Sequence, residues 1–82
     1  MTQTKRDKKY RKNWELMKEY MTRYTDTSLP KKRYTHEFSD RLGLSSHAPT
    51  LTIKWAIENN LCVATSHLDD IKDCYWIFME VK

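Results

Sequence analysis

Apolar positions recur along this chain at two different spacings, and the change of spacing divides it. Tyr10, Trp14, Met17, Met21 and Tyr24 follow one another at steps of four, three, four and three. That repeat is one face of an α-helix over about Asp7–Tyr24, which Leu16 and Tyr20 widen. Residues 25–34, TDTSLPKKRY, break the repeat. Pro30 biases the residue before it to extended backbone, so no helix is predicted there. Phe38 and Leu42, four apart, predict a short helix from Thr35 to about Leu42, with Thr35 as its cap and Glu37 near its N-terminus. Pro49, Ile53, Ala56 and Ile57 share one side of a further helix over about 46–59. Residues 61–67 and 74–81 are rich in Val, Ile, Tyr, Trp and Phe and read as two strands joined by HLDDIKD.

The stretch from Thr35 to Val63 organises the rest. Gly43 suits a left-handed helix end because it has no Cβ to clash. Leu42 and Leu44 can pin the flanking helices together, and Ser45 or Ser46 can cap the next one. Pro49 is tolerated only in the first turn, where its missing N–H would have no partner. Asn59 and Asn60 stop the helix, since Asn accepts the left-handed conformation more readily than other residues with a side chain.

Helix, tight turn at Gly43, helix and strand resemble the winged helix-turn-helix of bacterial and phage regulators. The likeness rests on Pro49, Ile53 and Ala56, then Asn60, Leu61 and Cys62, and covers roughly half the chain. It implies an α+β, winged-helix-like domain spanning 1–82: a long N-terminal helix, a helix-turn-helix, and a C-terminal two-stranded β-hairpin wing. Residues 1–6 are expected to be a mobile basic arm. The resemblance also implies that the outward side of the 46–59 helix meets DNA.

Two features depart from a DNA-binding pattern. A groove-facing helix is expected to carry Arg, Lys, Asn or Gln; here the far side carries Leu51, Trp55, Lys54 and Glu58. The wing tip carries Asp69, Asp70 and Asp73 against Lys72, a charge that repels phosphates. Either Trp55 folds back against the first helix as core, or it is an exposed anchor. The last strand leaves the same choice. Tyr75, Ile77, Met79 and Val81 line one face and Trp76 and Phe78 the other, so the strand is buried on both sides or exposes an aromatic patch.

Charge changes the picture by its distribution. Residues 1–34 hold eleven Lys and Arg against four Asp and Glu, whereas 35–82 hold four against seven. Any polyanion would therefore be met by the N-terminal third. The cluster Lys31, Lys32 and Arg33 reads either as phosphate contact or as a solvated loop.

Catalytic and metal chemistry finds little to stand on. His36, His47, His67, Cys62 and Cys74 form no ligand spacing, and the acidic turn lacks the glycine and glutamate of a calcium loop. A single glycine excludes a Gly-rich phosphate loop, and no nucleophile–base pair is visible. No enzyme activity, cofactor or metal is expected. With no apolar run of spanning length, no signal peptide and two thiols read as free, a cytoplasmic setting is expected.

Two functions remain. The first is a non-catalytic regulator that docks on a protein partner through Leu51, Trp55, Trp76 and Phe78, steered by the basic arm. In size and composition it resembles small host- or lysis-modulating phage proteins, cytoplasmic antiholins among them. The second is a DNA-binding regulator. It would place Ser46, His47, Thr50 and Lys54 in the groove, with Lys5, Arg6, Lys8, Lys9, Lys31, Lys32 and Arg33 on phosphates. Apolar helix face and anionic wing favour the protein partner; a homodimer is compatible with either.

Overall fold

The computed structural model describes residues 5–23 and 30–82. Their order is helix α1 (Lys5–Arg23), strand β1 (Lys31–Tyr34), helices α2 (Thr35–Leu42) and α3 (Ala48–Glu58), then strands β2 (Cys62–Leu68) and β3 (Cys74–Val81). The class is α+β, as the spacing predicts. The sheet, however, is a three-stranded antiparallel one in the order β1-β3-β2, where a two-stranded wing was expected. The third strand is the basic segment after Pro30, which runs beside β3 with Lys31 opposite Phe78 and Tyr34 opposite Tyr75. β3 therefore sits in the middle of the sheet.

Local chemistry accounts for most of the boundaries. α1 already includes Lys5 and Arg6, where a mobile arm is expected; residues 1–4 and Tyr24 lie outside the described residues. α2 ends on Gly43 at φ 67°, the left-handed cap that its sequence predicts. No atom lies within 4 Å of where a Cβ on Gly43 would stand, so only backbone strain opposes a side chain there. Gly43→Ala is accordingly expected to cost about 1–2 kcal/mol, read as a melting temperature lower by roughly 5–10 °C; an unchanged melting point would remove the turn from this role.

Two predicted caps are replaced. Tyr34, and not Thr35, occupies the position before α2, and its backbone N–H donates to Glu37 Oε1 at 3.4 Å. That carboxylate reaches back over the helix N-terminus, and Tyr20 Oη donates to its other oxygen at 3.3 Å. At α3 the residue before the helix is His47, without a side-chain cap; the Ala48 N–H instead donates to the Ser45 carbonyl at 3.1 Å. The Asn59–Asn60 stop is a Schellman ending. Asn60 stands at φ 60°, its N–H donates to Ile57 O at 3.1 Å, and the Leu61 N–H donates to Ala56 O at 2.8 Å.

The core lies between the helices and one face of the sheet. Trp14, Met17 and Met21 from α1, Phe38 from α2, Ile53, Trp55 and Ala56 from α3, and Cys62, Trp76 and Phe78 from the sheet make one cluster. The Phe38 ring meets Tyr20 at 5.7 Å and Phe78 at 6.4 Å, both edge to face. The methionines adapt to these rings. Cys62 and Cys74 are free thiols at opposite ends of the hairpin, across from Val81 and Leu68. Burial pushes the Cys62 thiol up to about 11, which keeps it protonated and unreactive.

Candidate nucleic-acid interface

The surface around α1 and α3 is built by what the core takes away from it. Trp55 belongs to the core, at 7% exposure, beneath the first turns of α1. Its indole Nε1 donates to Asp7 Oδ1 at 3.3 Å, Tyr10 lies 6.2 Å from it centroid to centroid, and the Arg11 guanidinium sits 5.4 Å over its ring. Trp76, at 4%, and Phe78, fully covered, point inward from the central strand. The expected exposed anchors at Trp55, Trp76 and Phe78 are thus corrected: three of the four are structural. Leu51 alone remains exposed. The physical reason is that an apolar face is covered by whatever packs on it, here α1 and the helical layer, and residue spacing does not say what that is.

The basic segment 31–33 is also redistributed. A strand sends successive side chains to opposite faces. Lys31 is buried and its Nζ donates to the Met21 carbonyl at 3.2 Å near the end of α1, where a cation offsets the exposed carbonyls. Arg33 is half-buried, and its Nη1 donates to the Lys32 carbonyl at 2.6 Å. Of the three, Lys32 alone keeps its ammonium on the exposed side. Lys31 is therefore withdrawn from the expected phosphate contact.

What stays outside is a cationic helix face. Lys5, Arg6, Lys8, Lys9, Arg11 and Lys12 are all exposed, against one carboxylate in these turns, Asp7, that is half-buried against Trp55. Arg6 lies over Tyr10 at 5.5 Å and Arg11 over Trp55, so two of these cations rest on the aromatic join between α1 and α3. Ser46 and His47, just before α3, and Lys54 and Glu58 on it are exposed, and Thr50 is half-buried. Arg11 and Lys12 join the cations expected from the sequence on this face; their place in the same helical run as Lys8 and Lys9 is the signal for them.

The hairpin tip has its own logic. Asp69 Oδ1 accepts the N–H groups of Ile71 at 3.1 Å and Asp73 at 2.8 Å, and Lys72 takes φ 64°. One of the three aspartates therefore holds the turn together. Leu68 and Ile71 project beside it at 67% and 77% exposure.

A cleft of about 570 Å³ lies between α1 and the end of β3, lined in part by Glu15, Glu19, Lys31 and Lys82. Among the described residues no group of three or more His, Cys, Asp or Glu is placed to hold a metal ion, and no helix is long and apolar enough to cross a membrane. Comparison with protein-family models, curated proteins and solved structures finds no match.

Proposed function

We propose that this chain is a nucleic-acid-binding module of winged-helix type. It would grip the phosphate backbone of a duplex with the first half of α1 and lay the start of α3 against the groove. One observation carries the reading: the indoles and the phenyl ring that would have gripped a polypeptide are spent on the core, while six cations on the first half of α1 remain exposed. Phosphate contacts set affinity and register for such a module. Ser46, His47, Thr50 and Lys54 supply the polar groups nearest a base edge, and Leu51 the apolar contact that a thymine methyl accepts. A long helix, two helices about a glycine turn and a C-terminal hairpin support this reading, with β1 added to the hairpin as a third strand. The anionic hairpin tip stays off the backbone.

The test is the binding of a labelled 20-base-pair duplex at rising salt. With about four phosphates neutralised, affinity is expected to fall on the order of 100-fold between 50 and 200 mM salt. The double variant Lys8→Glu, Lys9→Glu is expected to lose at least about tenfold in affinity and to flatten that slope, with its melting temperature unchanged. A salt-independent affinity, or full binding by the variant, would remove the duplex reading.

A second reading, a regulator acting on a protein partner and antiholin-like in style, is favoured by the hairpin tip. Leu68 and Ile71 there are exposed aliphatics ringed by Asp69, Asp70 and Asp73, a surface matched to a basic, apolar partner. In that case the charge-reversed α1 variant keeps its partner and Ile71→Asp loses it.

A further inference from the structure

The helices pack on one face of the sheet and leave the other open, and the open face carries rings that the core does not use. Strand pleat and register bring Tyr34 of β1, Tyr75 of β3 and His67 of β2 into one row across the sheet. Tyr34 and Tyr75 lie 5.5 Å apart, and Tyr75 and His67 lie 5.3 Å apart with their planes only 17° from parallel. His36, in the first turn of α2, continues the row 5.4 Å from Tyr34. Thr65 Oγ1, 2.9 Å from His67 Nε2, orients the imidazole at the strand edge. Both histidines are exposed and both tyrosines half-buried.

The neighbouring row across the sheet is Lys32, Ile77 and Thr65. Lys32 Nζ hangs 4.4 Å from the Tyr75 centroid and 5.2 Å from that of Tyr34. Among the described residues no carboxylate pairs with it. Within the strands Glu80 is opposite Val63 at the far end of the hairpin, and Asp69 and Asp73 of the turn lie two residues beyond His67 and Tyr75. Four contiguous rings with polar edges, and a cation held over them, match a flat heterocycle joined to a phosphate.

We propose that this open sheet face is a second binding site, one that stacks unpaired bases of single-stranded nucleic acid. The His36–Tyr34–Tyr75–His67 row receives two or three bases, and Lys32 takes the adjoining phosphate. Stacking of this kind tolerates any base sequence, because every base offers a π-face. The site shares no residue with the α1–α3 surface, so either can fail without the other.

The experiment follows the His67 and Tyr75 ring resonances by NMR while a dT12 oligonucleotide is added, with an abasic 12-mer and a blunt duplex as controls. The expected result is that dT12 shifts both rings and the two controls do not. His67→Ala, at an exposed edge position, is expected to weaken dT12 binding about tenfold with no change in melting temperature. Tyr75→Phe is expected to retain binding, since it keeps the ring, whereas Tyr75→Ala loses it. Several results would overturn the site: shifts confined to α1, equal binding of the abasic strand, full binding by His67→Ala, or ring shifts that track protein concentration without oligonucleotide. The last would make the face a contact between copies of this chain. The Lys8→Glu, Lys9→Glu variant separates the two surfaces, since at low salt it is expected to keep the ring shifts while its duplex affinity falls.

Discussion

Phe78→Ala is expected to cost about 3–5 kcal/mol of folding free energy, enough to leave the domain barely folded at room temperature. Phe78 is completely buried at the centre of the central strand, opposite Lys31 on one side and Ala64 on the other. Its ring meets Phe38 edge to face at 6.4 Å. Removing it opens a cavity where the sheet, α2 and α1 converge. Strands paired on both sides cannot collapse into that space, so the cavity cost adds to the lost transfer energy. A domain of this length has roughly 4–12 kcal/mol in total. Urea unfolding would read the loss as a midpoint lower by about 2–4 M. A change below about 1 kcal/mol would mean that the ring is at the surface after all, and the exposed-anchor reading would return with it.

Trp55→Ala is expected to be almost as damaging, about 3–4 kcal/mol, but by a different route. Trp55 is where α3 is fastened to the first half of α1, through the indole N–H on Asp7, the face under Arg11 and the ring beside Tyr10. Its loss empties a core position, removes one hydrogen bond from the Asp7 carboxylate and frees the cationic turns of α1 from the helix they flank. Amide exchange over residues 7–14 should quicken more than exchange in the sheet. Trp55→Phe keeps most of the packing and loses the hydrogen bond, so it is expected to cost about 1–1.5 kcal/mol. Were the indole instead an anchor for a partner, Trp55→Ala would melt as the parent does and fail only in binding. The melting curve separates these outcomes directly.

The two variants bear on function as well as stability, because the same burial that makes them damaging disqualifies both residues as anchors. The candidate surface is defined by what remains: the α1 cations, the polar start of α3 and the open side of the sheet. Arg11 shows how the two levels meet. It is exposed and available to a phosphate, yet it is placed by its contact with a buried ring.

The helices, the glycine turn, the asparagine stop and the two hairpin strands were legible because each depends on residues close in sequence. A 3.6-residue repeat makes one apolar stripe, Gly43 and Asn60 accept positive φ, and β-branched and aromatic runs pair. The burial of Trp14, Met17 and Met21 follows from the same repeat, since a stripe that long has to be covered in a chain this short. Which of two apolar faces is covered is another kind of question. It was decided for Trp55 by α1 and for Trp76 and Phe78 by the helical layer, through contacts between residues far apart in sequence. The basic run at 31–33 shows the same division. Its charge was plain, but only its pairing with β3 made it a strand, whose pleat turned Lys31 inward to the end of α1 and left Lys32 above the tyrosines. The ring row on the open sheet face likewise exists only in register, because Tyr34, Tyr75 and His67 become neighbours only when three strands align. Local spacing determined the elements; long-range packing decided their surfaces, since covering a side chain takes a partner that its own neighbours in the chain do not supply.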